Sequence, residues 1–221
     1  MKNYSDREVL IFDLDGTLVD SSRDIAWSAN KTLLDLGLSE RSEEEIRSHI
    51  GMGVLTLLKD LTGRDDKDFL KRATEVFISY YLDHLTVHTE PYPGVEETLE
   101  ALKTGGYTLA IATNKPIEPT IEILKELDLF TLFDCIVGGD MVENKKPEPD
   151  SLLMVLNELD MRSDKSLFVG DSAVDVEAGE AADIDVVGVS YGFRGRIELE
   201  DAGCESIIDH FSGLNRMILE I

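Results

Sequence analysis

The stretch VLIFDLDGTLVD, residues 9–20, runs from an apolar tetrapeptide straight into Asp13 and Asp15, with Gly16, Thr17 and a third acid, Asp20, close behind. Residues two apart in an extended chain face the same side, so the two carboxylates would share a face if the strand continued. Alone, Asp-Gly is an ordinary turn in which acids are common. A second acidic pair changes the balance: GDSAVD, residues 170–175, delivers Asp171 and Asp175 after another apolar run. Two like charges about 5 Å apart, at an effective dielectric of about 20, repel by roughly 3 kcal/mol. Clustered acids are a liability unless a cation sits among them. With oxygen ligands and no His or Cys nearby, that cation is magnesium rather than zinc.

Thr113, Asn114 and Lys146 complete the set. LAIATNKP, residues 109–116, ends a strand-like run before a helical segment. The Thr113 hydroxyl and the backbone N–H groups there can hold phosphate oxygens at a helix N-terminus. Thr is equally an ordinary N-cap, and the residues alone leave both readings open. Lys146 lies in NKKPEPDSLL, residues 144–153, where two prolines stiffen the loop around a lysine that must reach inward. Most lysines stay at the surface and Lys145 competes, but the P-x-P spacing favours Lys146.

The elements that must position these residues are short apolar runs: VLIF (9–12), TLAIA (108–112), CIV (135–137), SLFV (166–169) and VVGV (186–189). Most are nearly continuous rather than alternating, which suits strands buried on both faces of a parallel sheet. Helical segments lie between them. PGVEETLEALKTGG (93–106) puts Val95, Leu99 and Leu102 on one face; PIEPTIEILKEL (116–127) does so for Ile117, Ile121 and Leu124; PDSLLMVLNEL (149–159) for Leu152, Val155, Leu156 and Leu159. The expected fold class is α/β, an open parallel sheet with helices on both faces. Ligands of such sheets bind outside the carboxyl ends of the strands, where all the residues above converge.

Residues 21–88 break the strand–helix rhythm. Ser21 and Asp24 form a candidate capping box ahead of Ile25, Ala29 and Leu33. Ser42 caps a second helix with Ile46 and Ile50; Val54, Leu57, Leu58 and Leu61 suit a third; Asp65 or Asp66 opens a fourth through Phe69, Ala73, Phe77 and Tyr81. A strand-to-helix link normally takes about 2–6 residues, so this is a helical domain of its own. EPYPG, residues 90–94, is its return hinge. The expected division is an α/β core of residues 1–20 and 89–221 with an inserted helical domain of residues 21–88.

The 221 residues are 43% hydrophobic, ample for a core, and no run approaches the roughly 18 apolar residues of a membrane span. No signal-peptide stretch precedes the first strand, and Cys135 and Cys204 form no paired motif, so a cytoplasmic protein with reduced thiols is expected. With 45 acids against 21 bases the net charge is −24. That field repels nucleic acid and anionic membranes, and an anionic substrate would need a local cation. Oligomeric state is not legible.

DLDGT (13–17), Thr113-Asn114, KPEP (146–149) and GDSAVD (170–175) together resemble the four motifs of the haloacid dehalogenase-like hydrolases, in order and across the whole core. The helical insert resembles that superfamily's small cap. DGTLVDSS, IGMGV (50–54), PYPGVEETL, TNKP and YGFRG (191–195) are most similar to the phosphoglycolate phosphatases. One departure is Ala182-Asp183, where Ala-Gly is usual.

The resemblance implies a Rossmann-like core, a magnesium ion and a small phosphorylated metabolite as substrate, 2-phosphoglycolate first, with pyrophosphate, sugar phosphates and nucleotides open. Asp13 would be the nucleophile forming an aspartyl-phosphate. Asp15 would be the general acid and then base, its backbone carbonyl also ligating the metal with Asp13 and Asp171. Asp175 would join the metal set from behind or through a water. Thr113 and Asn114 would bind phosphoryl oxygens, and Lys146 would offset charge on Asp13 and the transition state. The cap loop Gly51-Met52-Gly53 is a candidate substrate contact, or a plain turn.

Other features are weaker. Arg23 and Arg47 suit a substrate carboxylate but are the kind of arginine usually solvated; His84 and His88 lack a third ligand; Trp27 is expected in the cap's core. A receiver-type signalling domain has no insert after its first strand. A dehalogenase needs no acid at Asp15, and a phosphomutase usually carries Val at the place of Thr17. An inactive scaffold would lack some of the motif side chains, all of which are present.

Overall fold

A computed structural model of the chain describes residues 2–219. The chain opens with β1 (Val9–Phe12) and a two-residue strand, β2 (Val19–Asp20). Four helices follow: α1 (Ser22–Asp35), α2 (Glu43–Arg47), α3 (Val54–Thr62) and α4 (Lys67–Leu82). The chain returns through β3 (Glu90–Pro91) to α5 (Val95–Thr104), β4 (Thr108–Ala112), α6 (Ile117–Glu126), β5 (Cys135–Val137) and α7 (Asp150–Leu159). It ends through β6 (Ser166–Gly170), α8 (Ala173–Ala181), β7 (Asp185–Val189), α9 (Gly195–Asp201), β8 (Ser206–Ile208) and α10 (Gly213–Ile218).

Six strands form one parallel sheet in the order β5-β4-β1-β6-β7-β8. All four residues of β1 are fully buried, and its alternation splits them between two layers. Leu10 and Phe12 pack with Val95, Leu99 and Leu102 of α5 and Leu214 and Met217 of α10. Val9 and Ile11 pack with Leu152 and Val155 of α7 and Ala178 of α8. A strand buried on both faces cannot be polar within its span, so its chemistry falls just past Phe12. Phe12 pairs with Ile111 and with Val169, which brings Asp13 to the carboxyl edge level with Ala112 and Gly170, with Thr113 and Asp171 one residue further along their strands.

The helices α1–α4 bury a separate apolar cluster that includes Ile25, Leu33, Leu58, Ala73 and Phe77. The chain enters and leaves this insert side by side, because β2 and β3 pair antiparallel through Val19 with Pro91 and Asp20 with Glu90. No helix among the described residues is long and apolar enough to cross a membrane.

Several local expectations need correction. β2, β3 and β8 carry too few apolar residues to read as strands in the sequence. Ser21 caps α1 without a side-chain hydrogen bond, so the Ser21–Asp24 capping box does not form. Its hydroxyl donates to Asp15 instead, while the buried Asp24 carboxylate accepts from the His88 and Thr89 N–H groups at 2.8 and 2.7 Å. Asp20 starts α1, accepting from Ser22 N–H at 3.1 Å. The buried face of α6 is Pro119, Thr120, Ile123 and Leu124 rather than the line through Ile117 and Ile121. The helix has two neighbours: Ile123 packs with the insert and Leu124 with the sheet. Trp27 is only half-buried, stacked on His84 at 3.9 Å between ring centroids.

Candidate active site

Asp13 lies one residue past β1, and its N–H donates to Val169 O at 2.9 Å, which locks it against β6. After Asp15 the chain must turn back at once. Gly16 does this with φ +87°, a conformation costly for other residues.

Lys146 reaches this point from the loop before α7, just ahead of a cis peptide to Pro147. Its Nζ donates to Asp13 Oδ1 at 2.8 Å and to Asp175 Oδ1 at 2.7 Å, and the residue is 2% exposed. Lys145 turns toward the insert, where its Nζ approaches Gly53. The Asn114 side chain pins the Lys146 main chain. Its Oδ1 accepts from Lys146 N–H and its Nδ2 donates to Lys146 O, both at 2.9 Å. The same Nδ2 donates to Gly51 O at 2.9 Å, tying the sheet edge to the insert.

Asp175 is wholly engaged. Its Oδ2 accepts from Asp171 N–H, Ser172 N–H and Ser172 Oγ at 3.2, 3.1 and 2.7 Å, forming a capping box for α8, while its Oδ1 faces Lys146. Asp171 Oδ2 accepts from Phe193 N–H at 2.6 Å. Backbone crowds round these two acids. A Cβ on Gly192 would stand 2.3 Å from Asp171 Cβ, and one on Gly170 would stand 2.3 Å from Asp175 Cβ.

Asp13, Asp171 and Asp175 are buried, and one carboxylate oxygen of each lies within 4.8 Å of the others. Burial pushes Asp13 up from 3.8 to about 6, Lys146 opposing and Asp175 adding to the shift. Burial and the neighbouring Asp175 and Asp13 charges push Asp171 well above its ordinary value. Three carboxylates facing one ammonium leave negative charge in excess. The oxygen-only donors fit a hard divalent cation held by Asp13 and Asp171, magnesium before zinc. Asp175 belongs to the same cluster, its oxygens accepting from Lys146 and from the start of α8.

The Asp15 carboxylate has partners of its own. Lys115 Nζ holds both its oxygens, at 3.0 and 2.9 Å, and Ser21 Oγ donates to Oδ1 at 2.5 Å. Burial alone would lower the Lys115 pKa, but Asp15 and Tyr81 outweigh it and hold the ammonium protonated. Within TNKP, residues 113–116, the sequence assigns Lys115 no role. The available signal was its position just ahead of a helix N-terminus, where a cation meets the wrong end of the dipole. α6 starts only at Ile117, whose N–H donates to Asp140 Oδ1 at 2.7 Å, and Pro116 before it has no N–H.

A cavity of about 60 Å³ lies between the sheet edge and the insert. Asp13, Asp15, Thr113, Asn114 and Lys115 form one wall; Ile25, Ile50, Leu57, Phe77 and Tyr81 form much of the other. Gly51 and Gly53 reach the cavity, whereas Met52 is 38% exposed and outside it. Arg23 is exposed, and Arg47 donates to Gly192 O at 3.4 Å at the rim. Arg194 ties the same rim to the insert, donating to Ile50 O at 2.7 Å and to Ser48 O.

A family model described as haloacid dehalogenase-like hydrolase matches residues 10–189. The phosphoglycolate phosphatase of Aquifex aeolicus is 45% identical over 174 residues, covering 79% of this chain and 80% of its own. That of Nitrosospira multiformis is 37% identical over 216 residues, covering 96% and 95%. The crystal structure of a predicted phosphoglycolate phosphatase from Haemophilus somnus superposes with a TM-score of 0.88 at 33% identity, covering 96% of this chain and 98% of that one.

Proposed function

The chain belongs to the haloacid dehalogenase-like hydrolase family, and we propose that it is a magnesium-dependent phosphatase of small phosphomonoesters, with 2-phosphoglycolate as substrate. The observation that carries this reading is the buried charge set at the end of β1, in which Lys146 Nζ stands 2.8 Å from Asp13 and 2.7 Å from Asp175. Relatives named for phosphoglycolate hydrolysis, at 45% and 37% identity, support the choice of substrate.

Asp13 attacks phosphorus in line; its bond to phosphorus forms as the ester P–O bond breaks, giving an aspartyl-phosphate. With its pKa raised to about 6, Asp13 is mostly ionised at neutral pH and needs no base. Asp15 gives its proton to the departing alcohol, then takes one from the water that hydrolyses the intermediate. Lys115 and Ser21 keep its carboxyl aimed. Lys146 offsets charge on Asp13 and on the phosphoryl oxygens, which Thr113 and the Asn114 N–H also bind. Magnesium, held by Asp13, Asp171 and the Asp15 carbonyl, would draw charge off the phosphoryl group. Asp175 acts through Lys146 and the Asp171 main chain. Residues 21–88 act as the cap that excludes water, with Gly51 and Gly53 toward the substrate and Met52 at the rim.

The test is hydrolysis of p-nitrophenyl phosphate with magnesium and with EDTA. We expect turnover with the metal, loss on chelation, and at least about a thousandfold loss in Asp13→Asn. Undiminished turnover by that variant would sink the mechanism.

A further inference from the structure

We propose that Lys115 and Tyr81 together form the seat for a carboxylate carried by the leaving alcohol, and so set which phosphomonoesters the enzyme prefers. The inference rests on the reading of the site above and adds the residues that recognise the non-reacting end of the substrate.

A chain of net charge −24 must bind an anionic ester with a local cation. Among the described residues that line the cavity, Lys115 is the one cation. No arginine lines it, and the wall supplied by residues 21–88 is aliphatic and aromatic. Lys146 is already shared between Asp13 and Asp175. Lys115 can serve while still paired with Asp15, because an ammonium has three donors and Asp15 takes at most two.

Tyr81 is the second observation. It lines the same cavity, is 2% exposed, and its hydroxyl stands beside the Lys115 ammonium and interacts with it. A phenol that accepts from an ammonium keeps its own O–H to donate to an oxygen of a bound ligand. Lys115 Nζ lies 4.5 Å from the centroid of the Tyr81 ring, which brings the two groups to one place.

Position then selects the ligand. The ester oxygen must come within about 3 Å of the Asp15 carboxyl to receive its proton. Lys115 Nζ is 2.9 Å from that same carboxyl, so ester oxygen and ammonium stand no more than about 6 Å apart. One methylene between ester oxygen and carboxyl carbon puts the carboxylate oxygens about 3 Å from the ester oxygen, within hydrogen-bond reach of Nζ. The ligand class is therefore a phosphomonoester of a short 2-hydroxy acid.

The experiment compares 2-phosphoglycolate with ethyl phosphate, which has the same length and no carboxylate. Binding is measured by calorimetry with magnesium present in the inactive Asp13→Asn background, and kcat/KM in the active protein. The unsubstituted site should prefer 2-phosphoglycolate by at least about tenfold, the value of one charge-assisted hydrogen bond. Lys115→Met should abolish most of that preference and Tyr81→Phe, which keeps the ring, about threefold or more of it. A merely structural Lys115, acting only on Asp15, would lower both esters alike and leave their ratio unchanged. That outcome, or equal binding of the two esters by the unsubstituted site, overturns the proposal. Turnover of ethyl phosphate tests the phosphatase reading separately. Selective binding without hydrolysis of either ester would retire that reading and keep the seat.

Discussion

The Asn114 side chain holds the Lys146 main chain from both sides, accepting its N–H and donating to its carbonyl at 2.9 Å each. An amide facing a peptide group in this way fixes the loop as a strand neighbour would. It places the lysine that bridges Asp13 and Asp175. Asn114→Ala should therefore act at a distance. Misplacing a reacting group by about 1 Å can cost about a hundredfold in rate, and kcat should fall by that order. Leaving the Lys146 peptide unpaired should cost about 1–3 kcal/mol in urea unfolding.

Lys146→Met should destabilise as well as inactivate. It leaves Asp13 and Asp175 buried and facing each other, and breaking a buried ion pair typically costs about 3–5 kcal/mol. Adding Asp175→Asn removes one of the stranded charges. The double variant should then regain much of the stability, read by urea unfolding, and none of the activity. Full additivity of the two losses would contradict the coupling seen in the geometry.

The pH dependence of metal-free stability follows from the raised carboxyls. Burial lifts Asp13 from 3.8 to about 6, and Asp171 moves the same way. Between about pH 4 and 6 the folded protein keeps a proton on Asp13 that the unfolded chain has released, so stability falls as pH rises through that window. A cation must displace those protons to bind. The rise in Tm produced by magnesium should thus be small at pH 5 and grow toward pH 7.5. Thermal unfolding with and without the metal checks this, and a shift that shrinks as pH rises would refute it.

What was legible in the sequence divides along physical lines. VLIF could be read because a strand buried on both faces must be apolar throughout, and its end at Phe12 located Asp13. Lys146 could be read because prolines restrict its loop. Ser206–Ile208 is too short to announce a strand, and its place is decided by pairing with β7. The buried face of α6 depends on two neighbours at once, which periodicity within one helix does not encode. Ser21 and Asp24 have capping chemistry, but tertiary partners claimed both: Asp15 for one, the return segment at His88 and Thr89 for the other. Lys115 was hidden because its partner is 100 residues away in sequence. Tyr81 looked like one more apolar position of its helix.

Gly192 gives the sharpest test of the carboxylate cluster. A methyl group there would meet Asp171 Cβ at 2.3 Å, Asp171 Oδ2 at 2.5 Å and Gly16 O at 2.5 Å. Backbone on one side and a buried acid on the other leave no flexible end to give way, so Gly192→Ala must displace Asp171. Gly195 is the control. It lies at the start of α9 with φ +77° and nothing within 4 Å of its added Cβ, so alanine there carries only backbone strain, about 1 kcal/mol. Both variants should lose some stability. Only Gly192→Ala should raise the magnesium concentration needed for half-maximal activity, by about tenfold or more, since one well-placed charged ligand is worth at least about 1.5 kcal/mol. Magnesium titrations of activity and of Tm measure this directly. An equal response from the two variants would mean that Asp171 is not where the metal binds.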